Sequence, residues 1–186
     1  MDKVNNQEKL VGQVEEIIAL AGERAANIYE ARGLCCSESV LATVNQGFGG
    51  DLSEEMAIQL GSGFCHGMGG AGCSCGSLAG GELALGLILS HRGVGGLKKK
   101  KFERVCRQMH DQFKKRFSAT CCRVLISRRK KNNGATCKEL TQGAAELVTA
   151  LLLENRPALA VEVDFDYLRL RESKAANMAK KLFKRK

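Results

Sequence analysis

The chain of 186 residues predicts an all-α fold. Three observations carry that expectation. Apolar residues recur at intervals of three and four over most of the length, which is a helical period. There is one proline and no tryptophan, and long stretches are free of β-rich runs. Glycine clusters and capping residues then divide the chain into segments of helix length. An apolar fraction of 44% is enough to build a core. The length suits one domain of roughly 150 residues with an extension. We therefore expect a compact bundle of about six helices over residues 1–154, a glycine-rich loop inside it, and a basic C-terminal extension over 155–186.

The elements follow in order. Leu10, Val14, Ile17, Ile18, Ala21, Ala25 and Ile28 form one stripe over residues 7–32, and Gly33 ends that helix. A second helix begins near Cys36 with Val40, Leu41 and Val44, and stops at Gly47-Phe-Gly-Gly. Asp51 or Ser53 can cap a third, which has Glu54 and Glu55 favourably placed in its first turn. That helix dissolves into a loop at residues 61–76 holding seven glycines, Cys65, Cys73, Cys75 and His66. Backbone this rich in glycine is free to adopt positive φ and to approach another group closely. An apolar helix from about Cys75 to His91 leaves the loop, and its small residues invite a close neighbour. Phe102, Val105, Cys106, Met109, Phe113 and Phe117 make the next stripe, with cations around the rest of the circumference. Thr120 can cap a helix whose first two residues are Cys121 and Cys122. Thr136-Cys137-Lys138-Glu139 reads as a capping box that puts Cys137 at the first helical position. Beyond residue 155, Val161, Val163, Phe165 and Tyr167 alternate with acids in a strand-like period. A basic amphipathic helix carrying Leu170, Met178, Leu182 and Phe183 is expected after it.

Cys36, Cys75, Cys122 and Cys137 thus each fall at a predicted helix start. Such starts carry unsatisfied N–H groups and partial positive charge, which favour a thiolate. Brought to one end of a bundle, the four sulfurs would suit an iron–sulfur cluster, a thiolate-bound metal, or thiol–disulfide exchange with no cofactor. Gly67, Gly69, Gly70 and Gly76 would shape the loop around such a centre. Cys65, His66 and Cys73 form a secondary candidate set of metal ligands. Cys106, on an apolar stripe, reads as core. No C-x-x-C pair is present, so neither a zinc ribbon nor a thioredoxin motif is matched. The Gly67–Gly72 stretch matches G-x-G-x-x-G but lacks the strand that a dinucleotide site needs before it. No Ser-His-Asp, HExxH or P-loop pattern appears.

Nine cysteines, an odd number, argue against a structural disulfide framework. The polar, acidic N-terminus and the lack of a membrane-length apolar run give a cytoplasmic expectation. Charge is uneven: residues 1–96 carry net −6, whereas residues 97–131 carry 14 basic and 2 acidic groups. That segment and residues 174–186 are candidate surfaces for an acidic partner. The absence of stacking or groove-reading motifs argues against a nucleic-acid ligand. Sequestration of Cu(I) or Zn(II) by inward thiolates is the first alternative function, and nucleic-acid binding through residues 97–131 and the tail is the second.

The motifs carry a family resemblance over roughly residues 10–153. Cys36-Ser-Glu-Ser-Val-Leu41, Gly67-Met-Gly-Gly70, Cys75-Gly-Ser-Leu-Ala-Gly80, Phe117 to Leu125 through Cys122, and Cys137 resemble the C-GCAxxG-C-C family, redox-active proteins named for four cysteines. The resemblance implies redox chemistry at Cys36, Cys75, Cys122 and Cys137, and a partner among oxidoreductases or transporter-associated proteins. Ser77 departs from the usual alanine of the motif. Cys35, Cys65, Cys73, Cys106 and Cys121 are additional to the pattern, and the basic tail lies outside it.

Overall fold

Helix boundaries follow the capping and glycine signals closely. The computed structural model describes residues 2–183. In it α1 (Asp2–Arg32) stops at Gly33, and α2 (Cys36–Gly47) stops at the glycines after Phe48. α3 (Glu54–Ser62) is capped by Ser53, whose hydroxyl accepts the Met56 N–H at 3.1 Å. A single turn, α4 (Cys65–Met68), interrupts the glycine loop, and α5 (Gly76–Leu89) leaves it. α6 (Lys99–Phe117), α7 (Cys122–Lys130) and α8 (Cys137–Asn155) follow. At α8 the predicted capping box forms: Thr136 Oγ1 accepts the Glu139 N–H at 3.2 Å, and the Glu139 carboxylate accepts the Thr136 N–H at 2.7 Å.

α8 is the centre of the bundle, packed against α1, α2, α5 and α6. Ile17, Ala21, Ala25 and Ile28 of the α1 stripe are fully buried, as are Ala144, Val148 and Leu152 of α8. α5 is enclosed by α2, α6 and α8, which explains its apolar residues on nearly every side. The crossing of α2 and α5 depends on Gly80. A Cβ there would meet the Ser37 carbonyl oxygen at 2.6 Å, so only glycine lets the two backbones approach this closely. α6 seals another side of the core with Val105, Met109 and Phe113, all buried, and leaves its lysines and arginines in solvent.

The segment after α8 corrects the strand expectation. It folds as α9 (Leu159–Glu162) and α10 (Phe165–Arg169), two short helices. Among the described residues no strand offers a ladder, and Asp164 caps α10 by accepting the Tyr167 N–H at 2.8 Å. Leu159 and Leu168 are buried against the bundle, and the Asp164 N–H donates to Gly47 O at 3.0 Å. α11 (Lys174–Phe183) closes the described chain. The side chains of Leu10, Leu182 and Phe183, and residues 184–186 of the basic tail, lie outside the described residues.

One polar cluster fastens this segment to α1. Arg24, fully buried, donates to Glu172 at 2.8 Å and to the Leu170 carbonyl at 3.2 Å. Arg32 reaches the same carboxylate, and Asn27 exchanges two backbone hydrogen bonds with Glu172 at 2.9 Å each. The Arg32 guanidinium holds the Glu172 carboxyl down at about 2, with Arg24 and Asn177 adding to the effect against a smaller burial penalty. Among the described residues no helix is long and apolar enough to cross a membrane.

Candidate functional site

The glycine loop acquires its shape by docking on the start of α7. His66, Gly67, Met68, Gly69, Gly70 and Gly72 all have positive φ, which coils the loop tightly. The loop then offers carbonyls to α7: the Cys122 N–H donates to Cys73 O at 2.6 Å, and the Arg123 N–H donates to Gly72 O at 3.0 Å. In return the Cys75 N–H donates to Thr120 O at 2.8 Å. These bonds set Cys75 and Cys122 side by side. They also satisfy the first N–H groups of α7, so that terminus does not face the site as a free donor. Gly67 is the contact point: a Cβ there would lie 2.5 Å from the Cys122 Cβ, at a φ of +74°. Gly69 and Gly70 are exposed, and Gly76 gives room to the Cys36 sulfur, 2.5 Å from where its Cβ would be. None of these four glycines lines the cavity described next.

Cys36, Cys75, Cys122 and Cys137 line one cavity of about 870 Å³. Cys36 opens α2 and Cys137 opens α8, as expected. Cys75 is the N-cap of α5, and Cys122 is the first residue of α7 behind an N-cap at Cys121, one position later than the Thr120 cap predicted. The walls include Tyr29, Ser77, Leu125 and Arg129, with Glu172 and Lys174 contributed by the C-terminal segment.

Local donors converge on the sulfurs. The Ser77 and Leu78 N–H groups at the start of α5 donate to Cys75, and the Ser77 hydroxyl reaches both Cys75 and Cys36. Arg129 donates to the Cys137 sulfur at 3.5 Å, and the Tyr29 hydroxyl faces the same atom. At Cys36, Cys75 and Cys122 burial works against the helix-start argument. Burial pushes the Cys36 thiol up to about 11, and the neighbouring Cys75 and Cys137 add to this as thiolates. Burial likewise raises Cys75 and Cys122, against the amide donors at Cys75 and the Arg129 charge near Cys122. Desolvation and like-charge repulsion outweigh the partial charges of the helix ends.

The secondary set is divided. His66, though exposed, lines the four-cysteine cavity, as does Cys35, whereas Cys73 is exposed outside it and Cys65 is joined to Cys35 by a disulfide with Cα atoms 5.7 Å apart. That disulfide is a single bond between two cysteines outside the four-cysteine pattern, not a framework. Adjacent positions 35 and 36 gave no sign of which sulfur would pair. Cys106 is half-buried rather than fully in the core, and it faces Glu82, whose carboxyl burial raises to about 7. Sequence reasoning missed Tyr29, Arg129, Glu172 and Lys174 as wall residues. Ser77 carried a signal, as the departure from the motif.

No curated protein and no solved structure matches the chain significantly. Residues 34–151, well over half of the chain, match the family described as "Putative redox-active protein (C_GCAxxG_C_C)". With four cysteines in the family's order, each at a helix start and all on one cavity, the chain belongs to the C_GCAxxG_C_C family.

Proposed function

We propose that the protein is an electron-transfer protein whose four cavity cysteines hold an iron–sulfur cluster. The observation that carries this reading is the convergence of Cys36, Cys75, Cys122 and Cys137 on a single cavity. The donor set fits, since four cysteine sulfurs are the usual ligands of such clusters. Spacing supports a polynuclear centre over a single ion. Two sulfurs on one tetrahedral zinc are about 3.8 Å apart, from Zn–S bonds of about 2.3 Å. Among the described residues, no three of these four sulfurs lie within 4.8 Å of one another. The raised pKa values of Cys36, Cys75 and Cys122 point the same way. Thiols that resist ionisation are poor nucleophiles for exchange, whereas a cationic centre inverts the local balance and deprotonates them.

The cluster, when bound, supplies reversible one-electron exchange. The chain supplies the setting. The four sulfurs act as ligands, and the Ser77 and Leu78 amides with the Ser77 hydroxyl donate to sulfur and stabilise its negative charge. Arg129 places a cation beside Cys137. An acidic redox partner would dock on the basic face of α6 and α7, of which Arg129 is the part that reaches the cavity.

Protein purified without oxygen should be brown, with broad visible absorption and acid-labile sulfide. Cys75→Ser should bleach it and lower thermal stability, because binding of such a centre is coupled to folding. A colourless protein with a titratable dithiol among the four would establish thiol–disulfide exchange in its place. Stoichiometric zinc or copper without sulfide would establish sequestration.

A further inference from the structure

Cys35 and Cys65 stand outside the four-cysteine pattern, and the function proposed above does not use them. Cys35 is the N-cap of α2, and Cys65 opens α4. Between them stands Glu38, in the first turn of α2. Its Oε2 accepts the Cys35 N–H at 2.7 Å, which completes the cap, and its Oε1 is left 3.7 Å from the Cys65 sulfur. The two sulfurs and a Glu38 oxygen all lie within 4.8 Å of one another, and all three residues are half-buried. Among the described residues no other three cysteine, histidine or carboxylate side chains come so close. Ser37 Oγ, 3.2 Å from the Cys35 sulfur, and Gly61 O, 4.0 Å from the Cys65 sulfur, add further electron-rich atoms.

Beside the disulfide the Glu38 carboxylate serves the α2 cap through Oε2, which leaves Oε1 unused next to the Cys65 sulfur. Once the pair is reduced, that oxygen stands ready as a third ligand for a cation that displaces the thiol protons. We propose that the reduced pair, with Glu38, binds one soft divalent cation of the zinc class, and that the Cys35–Cys65 disulfide is the metal-free form of the same site. Zinc accepts thiolate and carboxylate ligands together, and water can complete the tetrahedron. The sulfurs need only open from about 2.0 Å in a disulfide to about 3.8 Å around a zinc ion. In either form the start of α2 remains tied to α4, next to Cys36.

The interconversion balances with a small-molecule disulfide as oxidant. Two zinc–sulfur bonds break and one Cys35–Cys65 bond forms. The two electrons given up by the thiolates cleave the oxidant's S–S bond to two thiolates, and the zinc ion leaves as a dication. A dithiol reductant runs the exchange in reverse.

The test uses the full chain, reduced with a phosphine, desalted without oxygen, and given equimolar zinc. The cavity thiols also respond to metal, so the readout is the N-ethylmaleimide alkylation of each cysteine, resolved by peptide mass spectrometry. Zinc should protect Cys35 and Cys65. Glu38→Gln, which keeps an acceptor for the cap but removes the charge, should weaken zinc protection of those two by at least about tenfold. Cys36, Cys75, Cys122 and Cys137 should alkylate in Glu38→Gln as they do in the parent chain. Cys65→Ser should expose Cys35, and oxidised glutathione should release the zinc while the Cys35–Cys65 cross-linked peptide appears. Equal alkylation of Cys35 and Cys65 with and without zinc would overturn the proposal. So would protection indifferent to Glu38→Gln, or a disulfide that resists reduction until the helices melt. Cys35 also lines the cavity, but Cys36, Cys75, Cys122 and Cys137 are read separately from Cys35 and Cys65, so either site can fail without the other.

Discussion

Ser77 shows how one hydroxyl alters the chemistry of two thiols. It is fully buried, 3.5 Å from the Thr141 hydroxyl, and it reaches the sulfurs of both Cys36 and Cys75. A donor to sulfur favours the thiolate, so its removal should raise both pKa values further. Ser77→Ala is expected to slow alkylation of metal-free Cys36 and Cys75 at any fixed pH below their midpoints. Their alkylation–pH profiles should move upward, while Cys73, exposed at the loop, stays unchanged as an internal control. The sign carries to stability as well. A thiol whose folded-state pKa is raised, such as Cys36 from 9.0 to about 11, stabilises the fold below pH 9 and loses that contribution as pH rises toward 11.

At the scale of elements, the close crossing of α2 and α5 separates two glycines that look alike in the sequence. Gly80→Ala would drive a methyl against the Ser37 carbonyl, which is backbone and cannot step aside, and should destabilise by about 2–3 kcal/mol. Gly86, in the same helix, has open space where its Cβ would be, so Gly86→Ala should stabilise by up to about 1 kcal/mol. Urea unfolding of the two variants checks both signs. The helices themselves were legible because their signals are local: the stripe of α6, the capping box at Thr136 and the stop at Gly33 each depend on a few neighbouring residues. Each of the four cysteines was legible as a helix start for the same reason, whereas their meeting on one cavity depends on how the helices pack. Three features were not. The turn at 159–169 presents a period of two only because half-buried residues flank a capped bend. The thiol acidities depend on how deeply the bundle buries its own helix ends. The Cys35–Cys65 bond depends on how the coiled loop returns to α2.

Across the whole molecule, the Arg24–Arg32–Glu172 cluster joins the two ends of the described chain. Arg24 is a charge in the interior of α1, and no local pattern announces its partner some 148 residues away. Truncating one member of such a pair leaves the other buried without compensation. Glu172→Gln is accordingly expected to cost about 3 kcal/mol. The pH dependence follows from the depressed pKa of Glu172. Its contribution is complete above the ordinary carboxyl value of 4.5 and is lost as pH falls toward about 2. Thermal melts between pH 2 and 6 should therefore show a steeper acid decline for the parent chain than for Glu172→Gln.

That same cluster decides more than stability. The family match ends at residue 151, yet Glu172 and Lys174 form part of the cavity wall, and Tyr29 and Glu30 on α1 precede the match. A fragment trimmed to residues 34–151 would keep all four sulfurs and lose one side of their enclosure. The shared pattern thus provides the four sulfurs, while the flanking segments, locked together by one carboxylate between two guanidinium groups, build one wall of the cavity around them.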